Sequence, residues 1–203
     1  MPLNLLHNAS VVGSVAASTL SAWRGTSVVK AAVLPALRLK LYDLEGCPYC
    51  RGVREALTAL GLDAEIYPCP KGGRRFKAEA QRLGGKRQFP LLVDRNTDTV
   101  LYESADIIDY LFRTYGDQPT PRYYQATSFR PLWGGLTSAV RGMRGLTRRR
   151  SKQPAQLLKL WSFESSPYSR LVRERLTELE LPYIVHNIGK EQFADLGPAV
   201  QRI

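Results

Sequence analysis

Leu39-Lys40-Leu41-Tyr42-Asp43-Leu44-Glu45-Gly46-Cys47-Pro48-Tyr49-Cys50-Arg51-Gly52-Val53-Arg54-Glu55-Ala56-Leu57 passes from a short strand pattern, through a Gly-Cys-Pro turn, into apolar residues at helical spacing. Val53, Ala56, Leu57 and Leu60 share one helical face, and Gly61 supplies a stop. Working outward, Ala64-Glu65-Ile66-Tyr67 reads as a second strand and Arg75 to Leu83 as a second helix. Leu91-Leu92-Val93 and Val100-Leu101-Tyr102 read as two strands joined by the turn-rich Asp94 to Asp98. Ser104 is the expected N-cap of a last helix whose apolar face is Ile107, Ile108, Leu111 and Phe112. The order β-α-β-α-β-β-α predicts an α/β domain over residues 38–116, a four-stranded mixed sheet flanked by helices.

The same stretch recurs 119 residues later. Leu39-Lys40-Leu41 meets Leu158-Lys159-Leu160, Glu45 meets Glu164, Pro48-Tyr49 meets Pro167-Tyr168, and Arg51 meets Arg170. Val53-Arg54-Glu55 meets Val172-Arg173-Glu174, and Leu57-Thr58, Leu60 and Leu62 meet Leu176-Thr177, Leu179 and Leu181. That makes 14 identities in the 24 positions from 39 to 62, which identifies two copies of one unit. The second copy, residues 157–203, ends after β-α-β and part of a helix, so it lacks the hairpin that closes the sheet in the first. It is expected to leave an unpaired strand edge: either the second copy is a truncation, or it leans on the first copy or on a second chain in a homodimer. Residues 1–37 form an N-terminal extension. Residues 117–156, rich in Pro, Gly and Arg, read as a linker with a short amphipathic segment around Phe129 to Val140.

Composition narrows the function classes. The chain has 203 residues, 44% hydrophobic and 23% charged, with a net charge of +11, ordinary for a globular protein apart from the basic excess. Most of that excess, +7, falls in residues 117–156 around Arg148-Arg149-Arg150. The reading is a solvated basic linker, and nucleic acid is disfavoured because no base-reading module accompanies it. No apolar run reaches membrane-spanning length, since residues 2–23 are interrupted by Asn4, His7, Asn8 and several serines. Three cysteines do not make a secreted disulfide framework, so a reducing compartment is expected, cytoplasm or plastid stroma. Residues 1–42 lack Asp and Glu and are rich in Ser and Ala, as in a transit peptide; a helix around Val15 to Trp23 packed on the domain accounts for them equally well.

Cys47-Pro48-Tyr49-Cys50 lies between strand and helix, the context in which a C-x-x-C pattern carries redox chemistry. A thiol at a helix N-terminus faces free N–H groups and the positive end of the helix dipole, which favour thiolate. Cys47 is the candidate nucleophile. Cys50, one turn on and more buried, is the candidate resolving thiol. A metal site is not expected, because Cys69, His7 and His186 stand at no paired ligand spacing.

Residues 38–116 resemble the thioredoxin-fold domain shared by glutaredoxins and the N-terminal half of glutathione S-transferases. Gly46-Cys47-Pro48-Tyr49-Cys50 resembles the dithiol glutaredoxin site. Gln88-Phe89-Pro90-Leu91-Leu92 resembles the segment with the family's cis-proline, and Leu101-Tyr102-Glu103-Ser104-Ala105-Asp106-Ile107-Ile108-Asp109-Tyr110-Leu111 resembles the transferase signature opening the last helix. The resemblance implies glutathione as co-substrate, held by Tyr49, by the backbone of Phe89 with Pro90 close to Cys47, and by Glu103 and Ser104 at its γ-glutamyl end. The sequence departs from the family in placing Asp43 and Glu45, rather than a lysine, ahead of Cys47, and two acids are expected to push that thiol up. In the second copy Ser165-Ser166-Pro167-Tyr168-Ser169 replaces the cysteine motif, so that half is expected to be redox-dead.

The leading expectation is a glutathione-dependent thiol–disulfide oxidoreductase acting on disulfide-containing small molecules or proteins, with no metal. The alternative is a non-catalytic module binding glutathione or protein, built on degenerate tandem domains. A conjugating glutathione transferase ranks lower, because the linker and second copy stand where an all-helical domain would supply the electrophile pocket.

Overall fold

The computed structural model describes residues 2–125 and 130–193. In chain order it contains α1 (Pro2–Leu20), β1 (Leu39–Asp43), α2 (Pro48–Leu60), β2 (Ala64–Pro68), α3 (Lys77–Gly84), β3 (Leu91–Asp94), β4 (Thr99–Leu101), α4 (Ser104–Thr114), α5 (Arg130–Val140), β5 (Leu158–Ser162), α6 (Pro167–Glu178), β6 (Tyr183–Asn187) and α7 (Lys190–Phe193). Phe129 and residues 194–203, part of the expected amphipathic segment and of the expected last helix, lie outside the described residues. No helix of the described residues is long and apolar enough to cross a membrane.

The sheet has six strands, not the four expected, in the order β4-β3-β1-β2-β6-β5. Within it, β1 to β4 form a mixed sheet in which β1 runs parallel to β2 and antiparallel to β3, and β3 and β4 form a hairpin. The two extra strands join at β2, where β6 runs antiparallel and pairs Ala64 with Val185, Glu65 with Ile184 and Ile66 with Tyr183. Glu65 and Ile184 are themselves 119 positions apart, so β2 lies against its own counterpart about a local two-fold axis. This pairing satisfies the backbone groups that an unfinished second sheet would leave open along β6.

The axis accounts for the burial of α2. Pro at its start and a left-handed Gly61 (φ 63°) at its end bound the helix as expected. A helix with one apolar face would be buried on one side only, yet every residue from Cys50 to Leu60 is buried. Val53, Ala56, Leu57 and Leu60 face the main core with Leu39, Leu41, Ile66, Leu92, Ile107 and Phe112. The polar face, with Arg51, Arg54 and Glu55, is covered by α5 and the second half of the chain.

The segments on either side of the first domain also match one another, 120 residues apart. Ser18 and Ser138 both accept an amide five residues on, from Trp23 and Met143. Ala22 and Trp23 (φ 53° and 52°) match Gly142 and Met143 (61° and 57°), and Gly25 (70°) matches Gly145 (74°). The Lys71 amide donates to the Leu146 carbonyl, and the Lys190 amide to that of Thr26. Each half therefore sends its leading helix and turn across to the other. The arginines expected to lie in solvent are largely engaged: Arg141 is buried and holds Glu174 through Nε and Nη2 at 2.8 Å each, Arg148 reaches Glu180 at 2.8 Å, and Arg149 reaches Glu178 at 3.1 Å.

Candidate active site

The register brings the sequence-predicted site residues to one end of the sheet. Tyr42 pairs with Leu91 and Leu92 with Leu101, so the end of β1, the start of β3 and the end of β4 lie side by side. Cys47 follows the first, Phe89 and Pro90 precede the second, and Glu103 and Ser104 follow the third. The Phe89–Pro90 peptide is cis. Phe89 packs on a small cluster of Tyr42, Cys69, Phe76, Ala80, Leu91 and Val93. Glu103 (φ 61°) occupies the cap position of α4 and Ser104 is its first helical residue, one place later than expected. The Glu103 carboxylate accepts from Gln88 Nε2. A groove of about 400 Å³ lined by Leu34 to Arg38, Lys40, Asp63, Glu65 and Arg95 opens at the far end of the sheet and touches none of these residues.

Cys47 caps α2 with extended backbone (φ −87°, ψ 124°) and is half-buried, Tyr49 is exposed, and Cys50 is fully buried. All three cysteines are free. Hydrogen bonding from Cys50 brings the Cys47 thiol down to about 7. The Cys50 and Tyr49 amides and the Arg54 charge act in the same direction, and burial opposes them. Burial, followed by the interaction with Cys47, raises Cys50 well above its ordinary value. Cys69 is also raised, chiefly by burial. Iodoacetamide is therefore expected to label Cys47 along a single titration centred near pH 7, with Cys50 and Cys69 silent. Mass spectrometry of protein labelled between pH 5 and 9 checks this, and a profile centred above about 8.5, the free-thiol value, would contradict it.

Asp43 and Glu45 do not act as the sequence suggested. Both are buried, and both meet Arg54, whose Nη1 holds Asp43 and whose Nη2 lies 3.1 Å from Glu45. Arg54 Nε reaches Glu164 at 3.0 Å, while Arg173 reaches Glu45 at 3.1 Å and Glu164 at 3.2 Å. Glu45 and Glu164, like Arg54 and Arg173, are 119 apart, so this is a symmetric cluster on the axis. Burial raises Asp43 to about 6 against the pull of Arg54. Burial acts the same way on Glu164, but Arg173 and then Arg54 outweigh it and bring that carboxyl to about 2. The acids beside Cys47 are thus compensated, and Arg54 adds a cation on the thiolate's side.

In the second half, Ser166 stands where Cys47 does in the first, and its hydroxyl accepts from the Ser169 amide at 3.3 Å as an ordinary cap. Among the described residues no group of His, Cys, Asp and Glu is arranged to hold a metal ion. Sequence reasoning missed Arg54, Ser138 and Glu164 around the Cys47 loop. The one available signal was the recurrence of Arg54 and Glu45 as Arg173 and Glu164.

Residues 41–119 match the family described as glutathione S-transferase, N-terminal domain. Among solved structures, a glutathione transferase of Bombyx mori is similar at 28% identity over 42% of this chain and 39% of that one, with a TM-score of 0.38. A delta-class glutathione transferase of Nilaparvata lugens is similar at 32% identity over 38% of this chain and 36% of that one, with a TM-score of 0.34. The chain spans 39% and 36% of the lengths of these two proteins. No curated protein matches it.

Proposed function

With residues 41–119 forming a glutathione S-transferase N-terminal domain of thioredoxin-like fold, we propose that the chain is a glutathione-dependent thiol–disulfide oxidoreductase. One observation carries the reading: a half-buried Cys47 at the start of α2, its thiol lowered to about 7, with a fully buried, raised Cys50 one turn on. The Cys47 thiolate attacks the glutathione sulfur of a mixed disulfide, whose S–S bond breaks. The other sulfur leaves as a thiolate and takes a proton from water. A second glutathione, as thiolate, then attacks the glutathione sulfur on Cys47, so that oxidised glutathione leaves and Cys47 is restored. With protein disulfides, Cys47 forms the mixed disulfide with the partner, and Cys50 attacks Cys47 Sγ so that the partner leaves as a thiol. Two glutathione molecules then reduce the resulting Cys47–Cys50 disulfide and leave as oxidised glutathione.

The tripeptide would lie along the backbone of Phe89 beside Tyr49, with its γ-glutamyl carboxylate at the N–H groups opening α4 by Ser104 and its amine near Glu103. Glutathione is the reductant, which suits a reducing compartment such as cytoplasm or plastid stroma. Glutathione-coupled reduction of a mixed disulfide tests the reading. Cys47→Ser is expected to abolish turnover and Cys50→Ser to retain most of it. An inactive wild type that still binds glutathione would favour a non-catalytic module.

A further inference from the structure

The half of the chain without cysteines makes direct contact with the loop that carries Cys47. Ser138 on α5 donates its hydroxyl to the Gly46 carbonyl at 2.8 Å. Arg54 Nη2 donates to the Glu45 carbonyl at 3.2 Å. The turn after α5 packs so closely that a Cβ on Gly46 would lie 2.7 Å from Leu146 Cγ and 3.0 Å from the Arg144 carbonyl oxygen. The arrangement is repeated across the axis: Ser18 donates to the Ser165 carbonyl at 2.7 Å and Arg173 Nη2 to that of Glu164 at 2.8 Å. The chain thus contains two equivalent clamps, of which only one holds a loop with a thiol.

We propose that Ser138 is a positioning residue for Cys47, and that the second half serves the first as the clamp that sets the reactivity of this thiol. The Gly46 carbonyl belongs to the peptide that leads into Cys47, whose own amide donates to Leu44 at 3.1 Å. The plane of that peptide fixes where Sγ stands relative to the Tyr49 and Cys50 amides. Releasing the carbonyl lets the plane turn and carries the sulfur away from those donors, which weakens the thiolate. The charged groups around the loop are Asp43 and Glu45 from the first half, Arg51 and Arg54 on α2, Arg141 and Arg144 in the turn after α5, and Glu164 with Arg170, Arg173, Glu174 and Glu178 of α6 across the axis. Exchanging Ser138 alters none of their charges.

The inference rests on Cys47 as nucleophile, but its test requires no glutathione and so can fail separately from the proposed activity. The pH profile of iodoacetamide labelling at Cys47 is measured in full-length wild type, Ser138→Ala, Ser18→Ala and Ser138→Thr, with thermal unfolding recorded alongside. Ser138→Ala is expected to slow labelling at pH 7 about threefold to tenfold and to move the midpoint up by about half a unit to one unit, leaving the high-pH plateau in place. Ser18→Ala removes the twin bond together with the Arg170 Nη2 contact to the same hydroxyl at 3.1 Å, so it should lower thermal stability at least as much while leaving the profile unchanged. Ser138→Thr keeps the hydroxyl and should restore the wild-type curve. A wild-type profile in Ser138→Ala, or an equal displacement in Ser18→Ala, would overturn the proposal.

Discussion

Glu164→Gln is expected to destabilise the fold by about 3–5 kcal/mol, because it leaves buried guanidinium groups without their shared partner. In the wild type Arg54 and Arg173 both bond Glu164, and Arg51 Nε stands 3.7 Å from it. Glutamine keeps the shape and one acceptor but not the charge. For a chain of this length the loss corresponds to a drop in melting temperature on the order of 10 °C. The pH dependence has a definite sign. Glu164 is lowered from 4.5 to about 2, so its contribution is complete above pH 4.5 and disappears as the pH falls through about 2. Denaturant unfolding of wild type and variant from pH 7 down to pH 2 should show two curves well apart at neutral pH and converging below pH 4.5. Asp43 works the other way: raised to about 6, it favours the fold when protonated, and that contribution is lost as the pH rises from 3.8 through about 6. A gap that stays constant down to pH 2 would remove Glu164 from the centre of the network.

Gly25→Ala and Gly145→Ala should each cost about 2–4 kcal/mol, and by similar amounts, from a left-handed backbone that disfavours a side chain together with overpacking. A Cβ on Gly25 would come within 2.8 Å of Glu164 Cβ and 3.3 Å of Glu55 Cα. One on Gly145 would come within 2.9 Å of Glu45 Cβ and 3.4 Å of Glu174 Cα. The neighbours at each glycine are the 119-residue counterparts of those at the other. Equilibrium unfolding of the two variants therefore tests the two-fold relation itself, and a large cost at one site with none at the other would contradict it.

The first domain was legible because its signals are local. Leu39 and Leu41 alternate, Val53 to Leu60 keep helical spacing, Pro48 and Gly61 mark the ends of α2, and the hairpin turn follows from Asp94 to Asp98. The repeat was equally plain, yet knowing that Arg54 recurs as Arg173 and Glu45 as Glu164 does not reveal that each reaches across to the other's copy. Contact across an axis depends on which strand edges meet, and that is settled by β2 and β6 rather than by any pattern within a single copy. Counting charge by segment hid the rest. Residues 117–156 scored +7 and residues 157–203 scored zero, although Arg141, Arg148 and Arg149 in the first are paired with Glu174, Glu180 and Glu178 in the second. Helices were expected near Val15 to Trp23 and Phe129 to Val140, but their correspondence was not, because α1 and α5 with their turns share little beyond Ser18 with Ser138 and Arg24-Gly25 with Arg144-Gly145, and because the offset changes from 120 to 119 between them and the strands.

The crossing of α1 onto α6 also orders events in time. Ser14 donates to the Pro167 carbonyl and Ser18 to that of Ser165, contacts that close loops of 153 and 147 residues. Loops of that length close slowly, whereas β1 to α4 can pair among near neighbours. During synthesis the N-terminal helix emerges well before the surface it docks on, so residues 39–115 can form their sheet while α1 still waits. In refolding, protection of the amides of β1 and β2 should precede that of α1. Among the described helices, α1 is made before all the others yet waits for α6 before it can dock.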